Sequence, residues 1–266
     1  MTRYVTTNLL VVAAFGLYGC KNGDAPPGPP PAPLASSVAG SGSLDYAIDP
    51  ASKTSIDMPA PIEHIKGDTA GAKGTLHVDL HDLSKTRGDV FIDLETFTTH
   101  TFDDPEKNAG QTHHAHTWLQ IDDNEKDSAV RERNRWVHFA IRSIDGLSAT
   151  DLSKVAPTKV GGDDVRTVTL TAHGDFELHS LPSKAPKDVG LEVRFHVPSG
   201  SPDGTKPASI ELVSEPAAPL HVTLADHDVK PRDAGGSIAQ KAAGLLGTKV
   251  AEEASVSVNL LAKPAS

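Results

Sequence analysis

The sequence predicts an all-β, antiparallel fold, a barrel or a sandwich, and three observations carry that expectation. Two runs of period-2 alternation flank a turn-rich gap. The first holds Val168, Leu170, Phe176 and Leu178, interrupted at Gly174, and the second holds Val189, Leu191, Val193, Phe195 and Val197. Successive side chains of a strand point to opposite faces, so each run turns its apolar set one way and its polar set the other. Between the runs, Leu181 to Asp188 contains Pro182, Ser183, Pro186 and Asp188, residues that break ladders and favour a turn or longer loop. Composition agrees: 5% of residues are aromatic, and 22 Gly and 20 Pro supply the turns that a strand-and-loop domain needs.

Taken in order, the chain opens with a basic residue, Arg3, and an apolar run from Leu9 to Phe15 that is too short for a permanent membrane span. The run ends in Leu17-Tyr18-Gly19-Cys20, and Cys20 is the only cysteine of the chain. This arrangement resembles a bacterial lipoprotein signal, which implies cleavage after residue 19 and acylation of Cys20. Lys21 in place of Asp implies, by the same resemblance, the outer membrane and its periplasmic face rather than the inner membrane. Residues 20–43 then read as a tether rich in Pro, Gly and Ser, which cannot bury enough apolar surface to fold. Residues 44–266 are long enough for one all-β domain. With no second cysteine, no intramolecular disulfide is possible and the core must stabilise itself. The formal charge of -10 is spread without a basic stripe, which excludes nucleic-acid binding by electrostatics.

Within the domain, Tyr46 to Asp57 reads as strand, turn and strand around Asp49-Pro50. Alternation then marks Gly74–Leu80, Asp89–Leu94 and Trp136–Ile144 before the central pair, and Ala208–Val213, Leu220–Leu224 and Ala254–Ala262 after it. The regular spacing of turn signals is that of a barrel or sandwich. One short helix is expected near the C-terminus, at Ser237–Leu246, where Ile238, Ala242, Leu245 and Leu246 share a face and Gly247 supplies a stop. The long polar interruption from Thr99 to Arg135 carries one apolar island, Trp118, Leu119 and Ile121; a stretch of that length holds a short helix of its own or has a functional role.

Read together, these pieces resemble the YceI-like family. Tyr46-Ala47-Ile48-Asp49-Pro50 resembles its first strand, and His64 followed by Gly74-Thr75-Leu76 resembles its His, spacer, Gly-x-Phe segment. Val90-Phe91-Ile92-Asp93 and Thr96–Thr99 match the strand and turn ahead of the family's Arg-Asp-x-His-Leu motif. In that motif's place stands His113-His114-Ala115-His116-Thr117-Trp118-Leu119. Val137-His138-Phe139, Gly174–His179, Lys184 with Pro186, Leu224–Val229 and Val256–Leu260 follow in family order. The resemblance implies a periplasmic, lipocalin-like antiparallel barrel of about eight strands holding a polyisoprenoid, quinone or acyl lipid for carriage or storage, with no other cofactor. The Arg-Asp pair has no counterpart here, and the Lys66–Lys73 spacer contains no aromatic residue.

An eight-stranded barrel has an interior just wide enough for side chains or one slender ligand. The expected lumen set is Leu76, Val78, Leu80, Val90, Ile92, Leu94, Val137, Phe139, Ile141, Phe176, Leu178, Val193 and Phe195. Alternation serves a hollow barrel and a filled core equally, so a non-catalytic surface scaffold with a solid core is the alternative to a lipid carrier. A periplasmic metal binder is the third reading, with His113, His114 and His116 as its ligands if a loop lets them converge. The scattered His77, His138, His173, His179 and His196 fall on polar strand faces and are expected to meet solvent. Enzyme chemistry has no support: the chain carries no Gly-x-Ser-x-Gly elbow, no Gly-x-Gly-x-x-Gly, no phosphate loop and no HExxH. The acidic pairs Asp103-Asp104, Asp122-Asp123 and Asp163-Asp164 sit beside Pro, Asn or Gly and read as loop solubility.

Overall fold

The computed structural model describes residues 42–59, 64–201, 206–232 and 251–265. The expected signal segment 1–19, Cys20, the expected tether as far as residue 41 and the expected helix Ser237–Leu246 lie outside the described residues.

Strands follow the alternation. They are β1 (Leu44–Ile48), β2 (Lys53–Met58), β3 (Ile65–Ala70), β4 (Ala72–Val78), β5 (Arg87–Asp93) and the short β6 (Thr98–Thr99). Two helices come next, α1 (Pro105–Trp118) and α2 (Ser128–Arg135), then β7 (Trp136–Asp145), β8 (Thr158–Val160), β9 (Asp163–Leu178) and β10 (Leu181–Pro182). The chain ends with β11 (Lys187–Pro198), β12 (Ser209–Ser214), β13 (Leu220–Thr223) and β14 (Glu253–Pro264). Every ladder is antiparallel, and the order β1-β4-β5-β7-β9-β11-β12-β14 returns to β1 through Tyr46↔Pro264, Ala47↔Lys263 and Ile48↔Ala262. The fold is therefore a closed eight-stranded barrel of the lipocalin-like kind, with β2, β3 and β6 continuing the sheet from β14.

Three interruptions at one level of the wall shape it. Pro50 lacks a donor and fixes φ, so the chain steps from β1 to β2 through a turn in which Asp49 accepts from the Ala51 amide at 2.8 Å. Gly71, at φ +85°, separates β3 from β4 and donates to the Pro50 carbonyl at 3.0 Å. Pro216 and Pro219 separate β12 from β13. Long β14 runs past all of this, pairing with β1 and β12 at one end and with β2 and β13 at the other.

The central pair packs as the pattern requires. Val189, Leu191, Val193, Phe195 and Val197 are buried, as are Val168, Leu170, Ala172, Phe176 and Leu178 on the facing strand. The break at Gly174 is a packing feature: a Cβ there would stand 2.6 Å from the Phe139 ring and from the Ala140 carbonyl. The gap after Leu178 is tighter than its composition suggests. His179 and Ser180, at φ +54° and +61°, form a two-residue turn, and Leu181-Pro182 fold back on Leu178 and Glu177.

The polar interruption holds both described α-helices, as a stretch of its length allows, and the helix expected near the C-terminus lies outside the described residues. Asp104 caps α1 by accepting from the Glu106 and Lys107 amides, with Pro105 in the first turn, and Asp127 caps α2 in the same way.

Candidate functional site

The interior divides into a filled base and a hollow end. At the base, the inward Tyr46 is fully buried and donates to the Pro207 carbonyl at 3.1 Å. Leu83 and Leu152, each on a single 3₁₀ turn, plug that end, with the Leu152 amide donating to Leu80 at 2.9 Å. The void left among Leu76, Val78, Ile141, Val193, Phe195 and their neighbours is only about 30 Å³. Beyond the strand breaks lies a cavity of about 480 Å³, open at its mouth. That volume falls within the range of small-molecule sites.

The cavity wall is almost wholly apolar. Ile56 and Met58 come from β2, Ile65 from β3, Ile92 from β5, Val137 from β7, Phe176 and Leu178 from β9, and Val222, Ala254 and Val256 from β13 and β14. Phe97 also lines it, with its ring over Gly67, where a Cβ would approach within 2.5 Å. Helix α1 and its C-cap cover one side with Gln111, His114, Ala115, Trp118 and Leu119, the i, i+3, i+4, i+7, i+8 face. It is held there by Thr112, whose hydroxyl accepts from the Thr99 amide at 2.9 Å, and by His116, whose Nε2 donates to the Phe97 carbonyl at 3.0 Å. At its C-terminal end, Trp118 Nε1 donates to the Arg232 carbonyl at 3.2 Å and Arg232 Nη2 donates to Gln120 Oε1 at 2.9 Å.

Of the expected lumen residues, Ile92, Leu94, Val137, Phe176 and Leu178 line the cavity. Leu76, Val78, Ile141, Val193 and Phe195 surround the small void of the base, and Leu80 and Val90 are buried in the same core. Phe139 is half-buried, opposite Phe176 in the β7–β9 ladder. Leu94 sits on a 3₁₀ turn after β5, where Asp93 accepts from the Glu95 amide at 3.0 Å, rather than on the strand itself. Sequence reasoning missed the α1 face and Arg232; the Asp104-Pro105-Glu106 cap was the available signal for the helix.

The histidines correct two expectations. His113, His114 and His116 lie on a helix, not a loop, and do not converge: His114 faces the cavity and His116 points to Phe97. Among the described residues no cluster of His, Cys, Asp or Glu suits a metal ion. The strand histidines are not simply solvated. His77 pairs with Asp45 at 2.7 Å, His138 is buried against Asp89 at 2.7 Å, His173 stands 2.6 Å from Asp188 with Asp145 as a second carboxylate, and His196 lies beside Asp163. Hydrogen bonds donated to the carboxylates of Asp188 and Asp145 hold the His173 pKa above the usual imidazole value.

His179 is buried next to the cavity wall instead of on a polar face. Its Nδ1 donates to the His227 carbonyl at 3.0 Å, and its Nε2 has no hydrogen-bond partner among the described residues. His227, 1% exposed, donates from Nδ1 to the Leu181 carbonyl at 2.8 Å and meets the ring of Phe176 edge-on at 5.3 Å. Burial is the main cause that pushes both imidazoles below their ordinary pKa, which keeps them neutral at pH 7.

Fold and site together define a closed antiparallel barrel with one solid end and one apolar pocket. No protein-family model matches the chain, and no curated protein matches it. Among solved structures, it is similar to a polyisoprenoid binding domain from Saccharophagus degradans implicated in plant cell wall breakdown, at 16% identity and a TM-score of 0.47. That match covers 84% of this chain and 99% of the other. It is also similar to BcnA of Burkholderia cenocepacia, at 12% identity and a TM-score of 0.45, over 80% of this chain and 98% of that one.

Proposed function

We propose that the protein is a non-catalytic binder of a long-chain apolar ligand, a polyisoprenoid, quinone or acyl lipid, which it carries or stores at the bacterial envelope. The observation that supports this reading is the cavity of about 480 Å³ walled by aliphatic and aromatic side chains. Each methylene placed there gains about 0.8 kcal/mol and needs no polar partner. Binding of this kind is reversible burial, with no covalent step. Acylation at Cys20 would hold the barrel at the periplasmic face of the outer membrane, and two or more acyl chains suffice for stable attachment. The test is native mass spectrometry of the chain followed by organic extraction. A stoichiometric apolar adduct supports the reading. A bare mass, with no uptake of added isoprenoids, quinones or fatty acids, refutes it. Metabolic labelling with palmitate, compared between the native chain and Cys20→Ser, tests the anchor separately.

A further inference from the structure

Two buried imidazoles tie one side of the cavity together from behind its lining. His179 stands in the turn between β9 and β10, and His227 ends a 3₁₀ turn, Leu224–His227. The bond from His179 Nδ1 to the His227 carbonyl joins the two turns, and the bond from His227 Nδ1 to the Leu181 carbonyl joins them again. Both turns carry the cavity wall. Phe176 and Leu178 lead into the first, Leu224 opens the second and Val229 follows it, and the His227 ring meets that of Phe176 edge-on.

The joint suits the neutral rings alone. With Nδ1 of each ring donating to a carbonyl, each Nε2 keeps a lone pair. At His227 it accepts from the Ser183 hydroxyl at 3.3 Å; at His179 it has no partner among the described residues. A proton there would be a buried charge with no acceptor among the described residues. The charged or titratable groups that face His179 are Asp228, Arg232 and His227, and those that face His227 are Lys187 and Asp226, the last bound to Lys184 at 2.8 Å. Each ring therefore has one acidic and one basic neighbour, and burial is the main cost of charging it. His179 and Ser180 both hold positive φ, a region that residues with a Cβ avoid, so the turn relaxes once the joint no longer holds it.

We propose that the His179–His227 joint is an acid-operated latch: a proton on either ring parts the β9–β10 turn from the Leu224–His227 turn, the wall at Phe176 and Leu178 loosens, and the ligand is released. The inference rests on the lipid-binding reading and adds its regulation. The ligand favours the closed wall and the closed wall holds neutral imidazoles, so affinity is full above pH ~6.5 and is lost as pH falls from there. At pH ~5, an imidazole freed to its ordinary value of ~6.5 raises the open-to-closed ratio by up to about thirtyfold.

Titration of the delipidated full chain with N-phenyl-1-naphthylamine, a neutral apolar fluorophore, tests this; hexadecanol, followed by calorimetry, replaces it if the fluorophore does not enter. Affinity should hold steady above pH ~6.5 and fall about tenfold or more by pH ~5, with the circular dichroism of the barrel unchanged. The double variant His179→Gln, His227→Gln should flatten that dependence, because an amide keeps a donor at each joint and takes up no proton. His116→Gln, which changes the imidazole that holds α1 to Phe97, should keep the slope whatever it does to affinity itself. Calorimetry in two buffers of different ionisation enthalpy counts the protons: near pH ~5.5, binding should release up to about two per probe from the native chain and none from the double variant. An affinity independent of pH in the native chain, with no proton released, overturns the latch and leaves the lipid-binding reading intact. So does a slope that survives in the double variant or disappears in His116→Gln. If the double variant fails to fold, His179→Gln alone should release about one proton fewer than the native chain, and an unchanged count overturns the latch. Failure of both probes to bind at any pH overturns the lipid-binding reading as well.

Discussion

Leucine in place of alanine distinguishes the two ends of the barrel. Ala115 faces the cavity from α1 and Ala172 faces the base from β9, so the same change meets about 480 Å³ in one case and about 30 Å³ in the other. Leucine adds three carbon groups to alanine. The cavity accommodates them, whereas the base, with a void of only about 30 Å³, must shift its neighbours. Overpacking of that kind costs about 1–3 kcal/mol. At position 115, burying three groups at ~0.8 kcal/mol each sets an upper bound near 2.4 kcal/mol. Because the mouth is open, a gain of about 1 kcal/mol is expected. Propensity does not produce the difference, since leucine nearly equals alanine in helices and is no worse in strands. The two variants should therefore differ by about 2–4 kcal/mol. With a urea dependence of ~2 kcal/mol/M, that is about 1–2 M in midpoint. Urea titrations followed by circular dichroism measure it. An Ala115→Leu midpoint lowered as far as that of Ala172→Leu would refute the division into hollow and filled ends.

Three further changes probe the wall. Gly174→Ala places a methyl 2.6 Å from the Phe139 ring and the Ala140 carbonyl, so it should cost about 2 kcal/mol and lower the melting temperature by about 4–8 °C; an unchanged melt would show that Phe139 is free to move. Arg135→Ala strips the buried Asp93 of two bonds, at 2.8 and 2.5 Å. Because Arg135 is 32% exposed the loss should be about 2 kcal/mol, against under ~1 kcal/mol for the more exposed Arg194→Ala, and urea midpoints rank the two. His179 and His227 have pKa values lowered by burial, so unfolding takes up protons: their contribution is fully present above pH ~6.5 and is lost as pH falls from there through the folded values. Replacing both with Gln should flatten the midpoint-against-pH curve in that window, and a curve unchanged by the double variant would remove them as its cause.

The strands were legible because ten-odd residues at a time keep one face apolar, and the inward set of β9 and β11 is the one alternation marks. β3 was not, for a specific reason. Its inward positions are Ile65, Gly67 and Thr69, and the apolar surface at Gly67 is supplied by the ring of Phe97 from another segment, so no alternation survives in its own sequence. α1 was expected only as a short helix somewhere in the polar interruption, because its cavity face mixes Gln111 and His114 with Ala115, Trp118 and Leu119, which gives a weak apolar stripe. Its start was legible in Asp104-Pro105. The buried position of His179 could not be read either, since the turn that carries it has positive φ at His179 and Ser180 where Asn and Gly are the usual residues. The division of the lumen depends on where strands break, which alternation does not encode.

Those breaks account for a barrel that is solid at one end and hollow at the other. Where β1, β4 and β12 complete the ring, every neighbour is hydrogen-bonded to the next and the interior is as narrow as eight strands allow, so Tyr46, Phe195 and their neighbours fill it. At Asp49-Pro50, Gly71 and Pro216–Pro219 the chain leaves that ring. β2 and β3 take over from β1 and β4, β13 takes over from β12, and β6 joins β3 through Gly67↔Thr99 and Asp68↔Thr98. Among the described residues no ladder joins β6 to β7, and a helix stands at that side of the cavity in place of a strand. A helix is about 10 Å across, twice the spacing of neighbouring strands, so substituting one for a strand widens the wall. The extra circumference encloses a volume that the side chains of the sheet do not reach across. In this reading the prolines and Gly71 are what make room for a ligand, and the polarity of α1 follows from facing both the cavity and its mouth.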